Sequence, residues 1–586
     1  MAPRNAHGPG RLEASDAGHL DPRRKVVQIL ARPRGAMTPK QAESMLDAAL
    51  AATAWGRGRA RRVTLASPDS TGRAIDDLLF EIAVPYRIGS PRYASWAHEL
   101  VQQLDDVQHG GNPVFSRVEA DIPVSAYGRS PVGERDRAAL RAVDPASLDH
   151  GWVRRELHVT DALAHLGLSS LTGLGIRVGH PDSGYSDHRA LGLANLDLTT
   201  DRDVISGDDD ARDRLRKPSF SWFNPLPNSG HGTSTASVIV GDGDGDPTGF
   251  HGLAIGATLV PIRTTESVVQ VFDHDVAKAV RWARQVGCQI VSMSLGGKGL
   301  FGLQDAIDEA LAAGMIVMAA AGNKVHFVTA PASYDNCLAV AATGPGDEPW
   351  DGSSRGEAVD VSAPGHGVWA AMFDWSSSPP GTPVRQSDGT SYSVAHLAGV
   401  AALWLAAHGH ASLAARYGAG HVQAAFAKVL KVAGTCRVPA GWDAGRWGVG
   451  AIDALGVVTA ALPDPIALSA GAPRARGGGN DARSRLLAHI DGTDAVDVGP
   501  AGTRSAVRHD GERWLERTLG RERAADDELL RRFEGELAYH LAEQTDLDAA
   551  MTPATMRRGT PDRSSVGQAR AIGASPQLLT LLNGGG

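Results

Sequence analysis

Between residues 151 and 463, short apolar runs alternate with helical stretches, and this alternation constrains the fold more than any other feature of the chain. Ile290–Met293, Met315–Ala319 and Leu338–Ala341 are nearly continuous apolar segments, while Val276–Val286 before the first and Leu303–Ala313 before the second read as helices. A strand with one wet face alternates apolar and polar residues. A strand that is apolar throughout needs cover on both faces, and helices supply it in a parallel sheet. The expected fold class is therefore α/β: a doubly wound, mostly parallel sheet, with a small N-terminal α+β domain and a helical C-terminal appendage. Glycine, at 69 of 586 residues, stands at about 12% against a usual level near 7%. It has no fixed period, so it implies tight turns and close backbone contacts rather than a collagen-like fibre.

The rest of the chain divides by pattern. Residues 1–24 are polar, rich in Gly, Pro and Arg, and expected to be disordered. Residues 25–121 read as a compact α+β domain. Its strands are Val26–Leu30, Arg61–Leu65 and Phe115–Val124, and its helices are Pro39–Ala52 and Tyr93–Leu104. A linker of Gly, Pro and alternating charge covers 122–150, and a second linker, with SAGAPRARGGGN at Ser469–Asn480, covers 464–510. In 511–586, the residues Leu515, Leu519, Leu530, Phe533, Leu537 and Leu541 recur at helical spacing amid charges of both signs. This stretch is a candidate partner-binding surface, and the last thirty or so residues read as loosely structured.

Composition excludes several classes. Lys and Arg total 58 against 66 Asp and Glu, a net charge of −8, which argues against a nucleic-acid-binding surface. Three cysteines, Cys288, Cys337 and Cys436, cannot make a disulfide framework, and none stands in a zinc-binding spacing. The N-terminus has basic residues but no apolar stretch of signal-peptide length, and the runs Leu311–Ala321 and Ala395–Ala407 fall short of a membrane span. The expectation is a cytoplasmic protein with no membrane span and no nucleic-acid partner.

Three segments carry chemistry. GIRVGHPDSGY (Gly175–Tyr185) is a strand pattern that ends in Asp182 on a Ser-Gly turn. NSGHGTSTASVIVG (Asn228–Gly241) sets His231 between two glycines at the head of a run of small residues. SDGTSYSVAHLAGVAALWLAAH (Ser387–His408) sets Ser391 at the start of a helix with Val394, Leu397, Ala401 and Trp404 at core spacing. Each taken alone has an ordinary structural explanation: a turn aspartate, a core histidine, a serine cap. Together, in the order Asp, His, Ser, they resemble the subtilisin-like serine proteases, or subtilases.

The resemblance covers about 155–463 and extends to GLAIGATLVPIRT (Gly252–Thr264), IVSMSLGG (Ile290–Gly297), MAAAGN (Met318–Asn323), APASYDNCLAVAAT (Ala330–Thr343) and VSAPGHGVWAA (Val361–Ala371). It implies a serine endopeptidase with Ser391 as nucleophile, His231 as general base and Asp182 orienting the imidazole. Asn323 and the Ser391 N–H would stabilise the oxyanion. It further implies that Ser294, Leu295 and Gly296 pair with an extended protein or peptide substrate, and that Ala320, Ala321 and Gly322 form the other wall of the primary specificity pocket. The chemistry needs no cofactor and no metal ligand is assigned; structural calcium is compatible with the resemblance but has no assignable residues. Region 25–121 resembles the inhibitory prodomains of the family, chiefly through VEADIPV (Val118–Val124), and DHGWVRRELHVTDALAHL (Asp149–Leu166) resembles the opening of the mature domain. Two departures stand out: His180-Pro181 precede the aspartate where aliphatic residues are common, and the serine helix continues Tyr392-Ser393-Val394-Ala395 rather than Met-Ala-x-Pro. The alternative is an idle relative that binds peptides in the same cleft. An α/β-hydrolase is disfavoured because no GxSxG elbow exists, and a sedolisin because His231 is present.

Overall fold

Among the described residues, a four-stranded sheet covered by a helix forms the body of the N-terminal domain. β1 (Val26–Pro33), β2 (Ala60–Val63), β3 (Leu78–Ala83) and β4 (Phe115–Asp121) form an antiparallel sheet in the order β2-β3-β1-β4. Helix α1 (Pro91–Asp105) starts on Ser90, whose hydroxyl accepts the Tyr93 N–H at 3.2 Å, and buries Tyr93, Trp96, Ala97, Leu100 and Leu104. That spacing of three and four residues is one helical face, and it packs with Ile29, Phe80, Ile82, Val118 and Ala120 of the sheet. β3 lies outside the sequence expectation because LLFEIA is too short to show a period. The computed structural model describes residues 26–34, 60–63, 78–83, 90–109, 112–123, 148–167, 175–215, 228–243, 249–268, 272–323, 328–465, 526–542 and 574–582, with the isolated positions 44, 48, 50, 51, 86 and 519. Of the helix expected over Pro39–Ala52, the described positions Ser44, Ala48, Leu50 and Ala51 are helical, and the remainder lies outside the described residues. The linkers expected at 122–150 and 464–510 lie mostly outside them too.

The apolar runs of the centre line up in one sheet of nine strands. These are β5 (Arg177–Asp182), β6 (Arg202–Asp203), β7 (Thr258–Arg263), β8 (Ile290–Met293), β9 (Ile316–Ala320), β10 (Leu338–Thr343), β11 (Val361–Pro364), β12 (Cys436–Arg437) and β13 (Ala451–Ile452). The order is β12-β13-β11-β10-β9-β8-β5-β7-β6, with every neighbouring pair parallel except β12 and β13. Every residue of β8, β9 and β10 is buried, as strands covered on both faces require. Helices α2 (His231–Val240) and α5 (Thr390–His408) share one core cluster, while α3 (Asp273–Gln285) and α4 (Phe301–Ala312) share the other. The sheet is therefore doubly wound.

Helix α5 runs through the core, with every residue from Thr390 to Leu405 buried. It is long and apolar enough to cross a bilayer by length and composition, yet 89% of its apolar window is inside the domain. His396 within it is pushed down to about 4 by burial, and its Nδ1 lies 2.8 Å from the Pro364 carbonyl. An unfolded histidine, with an ordinary pKa near 6.5, takes up a proton first as pH falls, so acid favours the unfolded chain. Between pH 7.5 and 5 this one group is expected to remove roughly 2 kcal/mol of stability, or roughly 4–8 °C in Tm. His396→Gln, which cannot titrate, is expected to flatten that part of the dependence in thermal melts at the two pH values.

The C-terminal segment returns to the N-terminal domain. Helix α6 (Asp527–Ala542) lies against α1, with Arg532 Nε donating to Gln102 Oε1 at 2.7 Å and Nη2 to Asp106 Oδ2 at 2.8 Å. Leu530, Phe533 and Leu537 are buried as their spacing implies, and Tyr539 joins the N-terminal core. The final residues, however, are not all loose. Helix α7 (Pro576–Leu582) buries Leu578 and Leu581. Seven residues cannot hold a helix alone, so local pattern carries little signal there, and packing against α1 supplies the stability.

Candidate active site

In a parallel sheet, side chains for chemistry gather beyond the carboxyl ends of the strands, where helix N-termini also point. Here β5 ends on Asp182, β8 ends just before Ser294, and β9 ends two residues before Gly322 and three before Asn323. Helix α2 begins at His231, and α5 begins at Thr390, one residue before Ser391. His180-Pro181 do not distort the strand end: β5 stays in register with β7 through Asp182 opposite Arg263.

Asp182 is fully buried, and its carboxylate meets His231 Nδ1 at 2.8 Å through Oδ1 and 3.1 Å through Oδ2. Burial alone would push the Asp182 carboxyl up, but the neighbouring His231 holds it below the usual carboxylate range. The Ser183 N–H donates to Oδ1 at 2.7 Å and Thr235 Oγ1 to Oδ2 at 3.3 Å. Close approach of α2 to this turn depends on Gly232, since a Cβ there would stand 2.1 Å from the Gly184 carbonyl oxygen.

Ser391 sits in the first turn of α5 and is mostly buried, with its hydroxyl donating to the Ser294 carbonyl at 3.4 Å. Ser294 Oγ in turn donates to the Ser391 carbonyl at 2.9 Å. One turn after His231, Ser234 Oγ lies 3.1 Å from the hydroxyl of Tyr392, so the helices that carry histidine and serine start side by side. Asn323 is held by its carbonyl oxygen, which accepts the Thr390 N–H at 2.8 Å and the Thr390 hydroxyl at 2.9 Å. Its amide nitrogen is thereby turned the other way. A Cβ on Gly389 would lie 3.4 Å from Asn323 Nδ2 and 3.7 Å from the Ser391 nitrogen, so the missing side chain keeps open the space beside both groups. The Ser391 N–H belongs to the turn where helix donors lack intrahelical partners.

The remaining candidates follow the same strands. Leu295, Ala320 and Ala321 are buried, and the Gly322 N–H donates to Thr390 Oγ1 at 3.2 Å. The Gly296 N–H donates to the Val268 carbonyl at 3.1 Å, so an incoming strand must displace Val268 to use that donor.

Two residues near the site escape sequence reasoning. Asp213 Oδ2 accepts from Ser183 Oγ at 2.7 Å and from the Gly230 N–H at 2.6 Å, while Ser183 Oγ accepts the Gly232 N–H at 3.0 Å. It thus ties the residue after Asp182 to the residues on either side of His231. Thr235 Oγ1 stands 3.0 Å from His180 Nε2, an imidazole that burial holds below its ordinary pKa. Asp213 ends an acidic run, DDDARD, that reads as a solvated loop, and nothing local marks it out.

The profile described as the subtilase family matches residues 174–427. The chain carries a subtilase domain. An extracellular protease of Xanthomonas campestris pv. campestris is 30% identical over 317 residues, which cover 50% of this chain and 52% of that protein. Thermitase of Thermoactinomyces vulgaris is 34% identical over 190 residues, 32% of this chain and 65% of that protein. The chain spans about half to two thirds of the length of these curated relatives. Among solved structures, fervidolysin from Fervidobacterium pennivorans, a keratinolytic enzyme related to subtilisin, shares the fold. Its TM-score is 0.51 at 20% identity, over 75% of this chain and 61% of that one. The subtilase domain thus holds Asp182, His231, Asn323 and Ser391 at one end of its sheet, with α2 and α5 aimed at that end.

Proposed function

We propose that the chain is a serine endopeptidase acting on proteins or peptides through Asp182, His231 and Ser391. The observation that carries this reading is the bidentate approach of the buried Asp182 carboxylate to His231 Nδ1 beside the helix that opens with Ser391. Nδ1 then bears the proton, so Nε2 is free to take the Ser391 hydroxyl proton as the oxygen attacks a peptide carbonyl. The negative charge that develops on the carbonyl oxygen falls between Asn323 Nδ2 and the Ser391 N–H, strengthened by the start of α5. Collapse of the tetrahedral intermediate passes the proton from His231 to the leaving amine and leaves Ser391 acylated. Water, deprotonated by the same imidazole, releases the acid. Every step uses side chains and backbone donors alone. Substrate pairs in strand fashion with Ser294, Leu295 and Gly296, and Ala320, Ala321 and Gly322 bound the pocket for the side chain before the cut.

Asp213 acts as a positioning residue for this pair. Asp213→Ala is expected to lower kcat roughly 10- to 100-fold with KM little changed, the scale of one charge-assisted hydrogen bond at about 1.5–3 kcal/mol. Steady-state kinetics on a chromogenic peptide checks this. An unchanged kcat would leave Asp213 no part in orienting His231.

Residues 25–121 are read as a prodomain that is cut within 122–155. Their docking supports this: Asp121 accepts the Asp273 and His274 N–H groups at 3.2 and 3.1 Å, and Glu119 accepts the Phe301 N–H at 3.2 Å. Two carboxylates therefore sit on the first turns of α3 and α4, where the helix dipoles favour negative charge. The segment expected to enter the cleft beyond Pro123 lies outside the described residues. Wild-type protein is expected to convert to two fragments in denaturing mass spectrometry, while Ser391→Ala stays whole. A wild-type chain that is fully active while uncut would rule the prodomain out.

A further inference from the structure

Away from the active site, three ligand-type side chains meet where the first and last parts of the chain touch. His98 comes from α1, and Glu536 and His540 come from α6, four residues apart and so on one helical face. Their exposures are 3%, 3% and 0%. His98 Nδ1 stands 3.9 Å and His540 Nε2 3.8 Å from the same carboxylate oxygen, Glu536 Oε1, and one ligand atom of each residue lies within 4.8 Å of the others.

An ordinary ion-pair network does not account for these distances. A protonated His540 would draw its N–H to within about 2.7–2.9 Å of the carboxylate, yet both of its ring nitrogens are buried without a hydrogen-bond partner. Such an orphaned polar group is costly in a fold, and it points to a species that the imidazole would bind. Gaps of 3.8–3.9 Å are too long for hydrogen bonds and close to the spacing of ligands around a shared ion. A tetrahedral ion with bonds of about 2.0–2.1 Å holds its ligands roughly 3.3 Å apart.

We propose that His98, Glu536 and His540 bind a divalent transition-metal ion, zinc above all, and that the ion clamps the N-terminal domain to the C-terminal helix. Two imidazoles and one carboxylate are a zinc-type set, with a fourth position left for water. The carboxylate is already oriented from outside, as metal-ligating carboxylates are: Ser575, just before α7, donates to it through its N–H at 2.5 Å and its hydroxyl at 2.8 Å. His98 and Glu536 also line a cavity of about 840 Å³ between the two parts, which gives an ion and its water a way in. An N-terminal domain held in this way stays attached after any cut in the 122–155 linker.

The test uses the full chain carrying Ser391→Ala, so that its N-terminal domain remains in place whatever the activity. After incubation with zinc and desalting, elemental analysis is expected to find one more zinc per chain than in the same protein with His540→Ala or Glu536→Gln. Zinc is expected to raise the melting temperature by several degrees in the first protein and not in the others. In case the variants fold poorly, cobalt(II) bound to the intact chain provides a second readout. It is expected to give the visible bands of a tetrahedral site with nitrogen ligands, displaced by zinc. Zinc retained equally by all three proteins, or no zinc and no cobalt spectrum in the intact chain, would overturn the proposal.

Discussion

Ser391→Ala is expected to lose on the order of 10⁶ in kcat, the scale measured when the same nucleophile is removed from subtilisin. The size follows from the mechanism. Without the hydroxyl there is no acyl intermediate, and the donors around the oxyanion can assist only direct attack by water. His231→Ala is expected to cost about as much, because serine and histidine act as a unit and their losses do not add. Ser391 is mostly buried at the start of a helix whose first four turns are entirely within the core, so replacing one hydroxyl by hydrogen leaves the packing intact. Peptide hydrolysis by either purified variant within tenfold of the wild type would remove the triad from the account.

Asn323→Ala is expected to lose roughly 10²–10³ in kcat with KM nearly unchanged, the cost of one oxyanion donor. The ground-state carbonyl gains little from Asn323 Nδ2, whereas the tetrahedral oxyanion gains much, so the loss falls on turnover. The same change strips the Thr390 N–H and hydroxyl of their acceptor, so a drop in Tm accompanies it, at about 0.5–1.5 kcal/mol for each hydrogen bond. Kinetics and melts together separate the two roles. A purely structural asparagine would lower Tm and leave the turnover of the folded fraction intact.

What could be read in advance follows the range of the interactions involved. The strand end at Asp182 and the helix starts at His231 and next to Ser391 were legible from local pattern, whereas their grouping as one site came from the resemblance to the subtilases. The burial of β8, β9 and β10 was legible for the same reason, since a continuous apolar run states its own environment. Asp213 was not legible, because its role rests on reaching Ser183 and Gly230 across space from within an acidic loop. His180 announced itself only as a departure before the aspartate. Its contact with Thr235, from the facing helix, is a tertiary fact. The return of α6 and α7 to α1 lies furthest from local reading. An amphipathic stripe of Leu530, Phe533 and Leu537 says that a partner exists, but not that the partner is the first domain of the same chain.

The most direct test of the central claim is labelling of the protein freed of residues 1–121 with a fluorophosphonate, which reacts only with a serine that a neighbouring base activates and an oxyanion site accepts. A single stoichiometric adduct is expected, mapped by peptide mass spectrometry to Ser391 and absent from folded His231→Ala. Folded protein that leaves Ser391 unlabelled after removal of residues 1–121, or an adduct on Ser391 that forms equally fast without His231, would contradict it.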